Sequence, residues 1–264
     1  MPAPALSVKN LALTHAGHPL VHPLTFSIQA GECVALLGAS GSGKSLTAAA
    51  LTGTVPNGIM ASGEISFGGG SAGAGKATAP PANAALIRQD PQTSLNPLVP
   101  VGKQLLIPLR VSGLGRAEAR RETARLLGRA GLENPAGVLP RYPGELSGGQ
   151  LQRVCIALAL ASRSNVLVAD EPTTALDAVA RQAVLRTLRD WGAGGRSLLF
   201  ITHDLTAAAA LCTRALVMAD GRIVEEAPME ELLRNPRHAY TRRLVQAASG
   251  AALPLPATKT AVAA

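Results

Sequence analysis

Residues 38–45 read Gly-Ala-Ser-Gly-Ser-Gly-Lys-Ser and match the spacing G-x-x-x-x-G-K-[ST] at every fixed position. These residue types suit one purpose, the holding of a phosphate chain. Gly38, Gly41 and Gly43 let the backbone curl until successive N–H groups converge on one anion, while Ala39, Ser40 and Ser42 fill the variable positions. Lys44 supplies a point charge for β- and γ-phosphates, and the Ser45 hydroxyl is placed to reach Mg²⁺. The context agrees: the apolar run Cys33–Leu37 reads as a buried parallel strand, and Ser45–Leu51 reads as a helix whose positive end faces the loop. Gly70–Lys76 repeats the glycine–lysine spacing, but Ala77 offers no hydroxyl and Pro80-Pro81 blocks a helix, so it reads as a loop and not as a second phosphate site.

Further chemistry lies downstream. Val166–Ala169 is an apolar strand that ends in Asp170 and Glu171. At the carboxyl end of a sheet strand, Asp170 can hold Mg²⁺, and Glu171, which points differently, can orient or deprotonate an attacking water. His203 follows the buried run Leu198–Thr202 and reaches the same edge, where open α/β sheets bind ligands. Leu146-Ser147-Gly148-Gly149-Gln150 opens a helix with Ser-Gly-Gly, a second anion site of free N–H groups. One nucleotide has little use for two such sites, but two chains head to tail could each lend Ser147 and Gly149 to the nucleotide on the other's Lys44. Gln89, after the apolar run Ala84–Ile87, by itself names no chemistry.

The elements that must position these groups follow from pattern. Residues 6–13, 24–28 and 63–67 read as strands, 215–218 and 222–225 as a hairpin about Asp220-Gly221, and 228–234 and 238–248 as closing helices. Arg116–Ala130 and Gly149–Ala161 are the clearest helices within a helical block. Strands alternating with helices predict a mostly parallel α/β core into which that block, about residues 92–162, is inserted. Residues 68–83 are almost wholly Gly, Ala, Ser and Pro and predict a mobile connection; residues 249–264 predict a frayed tail.

The 264 residues, 47% apolar but only 2% aromatic, predict a core of aliphatic packing. No run reaches the length of a membrane span, and no secretory signal opens the chain. Cys33, Cys155 and Cys212 read as isolated core thiols. A net charge of +8 favours phosphates, nucleic acid or an anionic membrane face. Arg116, Arg120, Arg121, Arg125 and Arg129 contribute to it as the solvated face of one helix, without the interleaved aromatics of a nucleic-acid stripe.

Gly38–Ser45, Gln89, Leu146–Gln150, Val166–Glu171, Ala175-Leu176-Asp177 and His203, in that order, resemble the nucleotide-binding subunit of an ATP-binding-cassette transporter, over about residues 5–248. The resemblance implies a phosphate-loop cassette with a mostly parallel core sheet, an antiparallel β part and an inserted helical subdomain. It implies ATP and Mg²⁺ as ligands, with Gln89 touching the metal and sensing a membrane subunit. Ser147, Gly148, Gly149 and Gln150 would contact the γ-phosphate across a dimer, with Asp177 between the two sites. Glu171 would be the catalytic carboxylate and His203 the switch histidine, with His15 standing where the family usually stacks an aromatic on adenine. The implied partners are two permease subunits, a second cassette subunit, identical or paralogous, and an extracytoplasmic solute-binding protein, at the cytoplasmic face of the membrane and without nucleic acid. Arg88–Pro97 and Asn235–Leu244 resemble the dipeptide, oligopeptide and nickel importers. Leu20–His22, Gly43–Thr47 and the short C-terminus resemble the nickel-import ATPase most. A soluble cassette ATPase acting on ribosomes or DNA is the alternative, although the long coiled-coil insertion or second cassette usual in such proteins does not occur here.

Overall fold

The computed structural model describes residues 3–68, 70–73, 84–174 and 176–249. Chain order gives β1 (Leu6–His15), β2 (His18–Ile28), β3 (Cys33–Leu37), α1 (Lys44–Leu51), β4 (Ile59–Phe67), β5 (Gly70–Gly73) and β6 (Ala84–Ile87). There follow α2 (Val101–Val111), α3 (Arg116–Arg129), α4 (Pro135–Val138), α5 (Gly148–Ala161), β7 (Val166–Asp170), α6 (Ala178–Ala193) and β8 (Ser197–Thr202). The chain closes with α7 (Leu205–Leu211), β9 (Arg214–Ala219), β10 (Arg222–Pro228), α8 (Met229–Arg234) and α9 (Ala239–Ser249).

Two sheets carry the molecule. Four antiparallel strands run in the order β2-β1-β4-β5, and six run in the order β10-β9-β3-β8-β7-β6, with only β10 antiparallel to its neighbour. This is the expected α/β architecture, a mostly parallel sheet with an antiparallel β part and a helical region. Helices α2 to α5 lie in sequence between β6 and β7, which pair directly in parallel register from Ala84↔Val166 to Ile87↔Ala169.

The period of two in the central strands divides the core. Leu198 and Phe200 of β8 face one apolar cluster with Leu185, Leu188 and Trp191 of α6, while Leu199 and Ile201 face a second with Leu51 of α1 and Leu6 and Val8 of β1. Continuous burial of β7 and β8 is what a parallel sheet covered on both faces requires. The two tight hairpins need left-handed backbone at both turn residues. Asp220 and Gly221 have φ of 48° and 70°, as expected from Asp-Gly, and Ala16 and Gly17 have 47° and 81°. The five arginines of α3 are all exposed, and Arg125 pairs with Glu122 at 2.6 Å.

Two expectations need correction. Part of the Gly/Ala-rich stretch is a strand: Gly70–Gly73 pairs with Phe67–Glu64, so the first half of the Gly70–Lys76 repeat is extended in a ladder. Pairing draws on backbone N–H and C=O groups, which composition does not reveal. Residues 74–83 lie outside the described residues, as does the expected tail beyond Ser249. The cysteines are not all isolated: all three are free thiols, but Cys33 at the start of β3 and Cys212 just after α7 have sulfurs 3.3 Å apart. Burial pushes the Cys155 thiol up to about 12, in keeping with an inert core group.

Phe200, fully buried at the centre of the sheet, is the sharpest test of this packing. Phe200→Ala should cost about 3–5 kcal/mol, read as a lowered denaturant midpoint; a loss below about 1 kcal/mol would show that β8 is not central.

Candidate functional site

The carboxyl ends of β3, β8 and β7, adjacent in the sheet, deliver the phosphate-type loop, His203 and the Asp170-Glu171 pair to one edge. A cavity of about 560 Å³ forms there, lined by Leu20, Ala39, Ser40, Gly41, Gly43, Lys44, Ser45, Leu46, Gln89, Glu171 and His203. Residues 38–43 form the loop itself. Gly43 requires its φ of 103°, and a Cβ there would also meet the Met218 side chain at 2.8 Å. A Cβ on Gly38 would lie 2.3 Å from the Met218 carbonyl oxygen, so only glycine fits against β9.

Lys44 is 6% exposed, and its ammonium donates to the Gly38 and Ala39 carbonyl oxygens, both at 2.8 Å. Burial pushes its pKa below the ordinary value, and the charges of Glu171 and Asp170 act against that shift. A buried cation held by two carbonyls of a glycine-rich loop is a fitting seat for an anion. The Ser42 hydroxyl is buried beside it without a partner.

Asp170, 5% exposed, has its carboxyl pushed above the usual range by burial; the Ser45 hydroxyl, hydrogen-bonded to it, acts against that shift. Its Oδ1 is buried and has no partner. An unpaired carboxylate oxygen beside a serine hydroxyl fits a hard divalent cation. Among the described residues no group of three or more His, Cys, Asp or Glu could hold a metal. Mg²⁺ bound through one carboxylate together with substrate phosphates needs no such group. Asp170 and Ser45 also line a smaller adjoining cavity with Gln89 and Arg88, so Gln89 borders both spaces.

Glu171 is held at every oxygen. Oε1 accepts from the His203 amide at 3.0 Å and lies 2.8 Å from His203 Nδ1, while Oε2 accepts from Thr174 Oγ1 at 3.0 Å and Thr202 Oγ1 at 3.4 Å. Its amide donates to Ile201 O at 2.9 Å, and its φ of 47° is left-handed, strain that such tethers sustain. Thr174 and Thr202 escaped the sequence reading; the signal was the hydroxyl run Thr173-Thr174 directly after the acids.

Other expected residues lie elsewhere. Ser147 caps α5: its Oγ accepts from the Gln150 amide at 3.3 Å, and Gln150 Oε1 accepts from the Ser147 amide at 3.1 Å. First-turn amides at Gly148 and Gly149 have no intrahelical carbonyl to meet. Asp177 caps α6 through the Ala180 amide at 2.8 Å. Gln150 and Asp177 share a second cavity of about 530 Å³, with Arg153 and Val179, whose lining has no residue in common with the first. His15 does not line the first cavity; it is exposed at the end of β1, with Nδ1 2.9 Å from the Gly58 carbonyl oxygen, and Leu20 of β2 takes the lining position.

Residues 21–174 match the family model described as ABC transporter. The chain is 42% identical over 257 residues to a peptidoglycan transport ATP-binding protein of Agrobacterium fabrum, covering 92% of this chain and 47% of that protein. It is 39% identical over 243 residues to a glutathione import ATP-binding protein of Escherichia coli K12, covering 86% of this chain and 38% of that protein. The chain thus spans less than half the length of these curated relatives. Among solved structures, an ATP-binding subunit of an ABC transporter superposes with a TM-score of 0.77 at 27% identity, covering 93% of this chain and 99% of that one. A dimeric ATP-binding cassette in a post-hydrolysis state bound to ADP and Pi shares the fold, with a TM-score of 0.73 at 24% identity over 85% of this chain and 98% of that one.

Asp170 supplies a pH test. A carboxyl raised in the folded state holds extra protons there, so its charge costs stability above that pKa, and the cost fades as pH falls through it. Asp170→Asn should therefore raise the melting temperature of the chain, measured without nucleotide, at pH 7.5. The gain should shrink as pH approaches the ordinary carboxylate range; a less stable variant at pH 7.5 would contradict the burial cost.

Proposed function

This chain belongs to the ABC transporter family, and from that premise we propose that it binds Mg-ATP in the first cavity and hydrolyses it to drive import through a separate permease. The observation that carries the reading is the convergence of Lys44, Gln89, Glu171 and His203 on one cavity at the carboxyl edge of a parallel sheet. Amides of residues 41–45 and the Lys44 ammonium take the phosphates. Asp170 and Ser45, with Gln89, would hold Mg²⁺, which when bound neutralises the charge shared by the β- and γ-phosphates. His15, on the hairpin beside Leu20, is our candidate for the adenine face.

Glu171 is the proposed base. Its Oε1 lies 2.8 Å from His203 Nδ1. For turnover the His203 ring turns from Glu171 toward the γ-phosphate, and Oε1 accepts the proton of the water that attacks phosphorus as the bridging oxygen leaves with ADP. Ser147, Gly148, Gly149 and Gln150, with Asp177, are assigned to the nucleotide of a second cassette chain, because none of them lines the first cavity, and Gln150 and Asp177 line a separate one. That partner is a copy or a relative of this chain. Residues 5–248 form the cassette unit, in which the helical part, about 92–162, faces the permease at the cytoplasmic side of the membrane. Among the described residues no helix is long and apolar enough to cross a membrane.

The relatives are named for glutathione import and peptidoglycan transport. These names support a peptide-like cargo, and an extracytoplasmic binding protein to deliver it is part of our proposal; the resemblance of residues 20–22 and 43–47 keeps nickel as the second reading. Uptake of labelled dipeptides against labelled nickel in cells lacking the chain separates the two.

Lys44→Ala should abolish tight nucleotide binding; retained affinity would refute the phosphate-loop assignment. Glu171→Gln should bind ATP normally, lose about 10²–10⁴-fold in turnover and accumulate as an ATP-bound dimer in size-exclusion chromatography. Parent-level hydrolysis by that variant would remove Glu171 from the role.

A further inference from the structure

The closing motif Asn235–Leu244 lines neither cavity, yet one of its side chains touches the phosphate loop. Tyr240 lies in the first turn of α9, and its hydroxyl oxygen accepts a hydrogen bond of 2.6 Å from the Ala39 amide, 201 residues away in sequence. The motif is itself pinned to the sheet. Glu225 of β10, 9% exposed, accepts at Oε1 from the Arg237 amide and at Oε2 from the His238 amide, both at 2.8 Å. Since β10 pairs with β9 and β9 with β3, the tyrosine and the loop that follows β3 share one frame.

Lys44 grips the same stretch of backbone by other atoms, through the Gly38 and Ala39 carbonyl oxygens. The entrance of the loop therefore has two holds, a lysine on its carbonyls and a tyrosine on its amide. A phosphate chain competes for the lysine but not for the tyrosine. Once the ammonium turns to the β- and γ-phosphates, the Tyr240 hydrogen bond is the hold that can persist.

We propose that Tyr240 is a positioning residue for nucleotide binding, its hydroxyl keeping the Ala39 amide in place so that the loop retains its phosphate-accepting shape when Lys44 lets go. The proposal rests on the assignment of the phosphate loop to ATP. It gives the closing motif a physical role, with α9 serving as a latch on the loop, Arg242 donating to the Arg237 carbonyl and Leu244 packed against the core.

Tyr240→Phe keeps the ring and removes only the acceptor. In the full chain, titrated with a fluorescent ATP analogue and Mg²⁺, its Kd should rise about 3–10-fold, the loss of one hydrogen bond. The melting temperature should stay within about 2 °C, and the KM for ATP should rise with kcat held within about twofold. Ala39→Pro deletes the donor instead, and in that background Tyr240→Phe should change Kd by less than about 1.5-fold. This cycle also decides the matter if Tyr240→Phe lowers stability more than expected. An unchanged Kd in Tyr240→Phe, or an equal effect with and without the Ala39 amide, overturns the proposal. Failure of the parent chain to bind the analogue would instead overturn the ATP assignment, so the two failures are told apart.

Discussion

A buried ammonium is the constraint from which the site is built. Lys44 is out of solvent, and an unpaired charge there would cost several kcal/mol. Two carbonyl oxygens from the loop after β3 and the negative field of the acids after β7 make it tolerable. β3 and β7 are not neighbours; β8 lies between them, and the acids reach the lysine only because all three strands run parallel and end at one edge. Sheet order is thus a requirement of the electrostatics. The same edge accounts for Gly38, whose missing Cβ lets the loop pass against the Met218 carbonyl of β9 on the other flank. A site suited to a polyanion keeps its cation desolvated and held by weaker ligands, which a phosphate can displace.

Glu171 shows the complementary arrangement. Its amide and three of its four side-chain hydrogen bonds tie the end of β7 to the end of β8, through Ile201, Thr202 and His203. For the proposed role a water must take the place of one of these partners. His203, whose side chain is 61% exposed, is the partner most free to move, whereas Thr202 is buried and held in the sheet. If Glu171 is the base, as proposed, the geometry links its readiness to the position of one exposed ring.

Much of this was legible in the sequence, for a reason that can be stated residue by residue. Lys44, Asp170, Glu171 and His203 each follow a short apolar run, and a parallel strand can be read from such a run without knowing its neighbours. Asp220-Gly221 announced its turn because few dipeptides accept left-handed backbone twice. The contacts that escaped are those between segments distant in sequence: Tyr240 on Ala39, Glu225 on His238 and the Cys33–Cys212 contact have no local signature. Gly70–Gly73 escaped for another reason, since a ladder satisfies backbone groups whatever the side chains are. His15 was placed by likeness alone, and its exposed position beside Gly58 reflects a hairpin whose length sequence pattern does not fix.

The separation of the two cavities bears on how the proposed motor would work. Gln150 and Asp177 line a polar space with no residue in common with the phosphate loop's, and Val179 beside them is 81% exposed, an apolar group left at the surface. The Ser147 and Asp177 side chains are engaged in their own helix caps, so a ligand that reached the start of α5 would meet backbone amides and not flexible side chains. Amides fixed by a cap are preorganised donors, useful against a charge that arrives from outside. If a second copy presents its phosphate loop to that face, two-fold symmetry makes the first copy's loop meet the second copy's α5 at the same time. Both nucleotides are then enclosed in one step or in neither, and the closed state gains from ATP only what the open one lacks. Division of the site between two faces of one chain is what would turn nucleotide binding into movement.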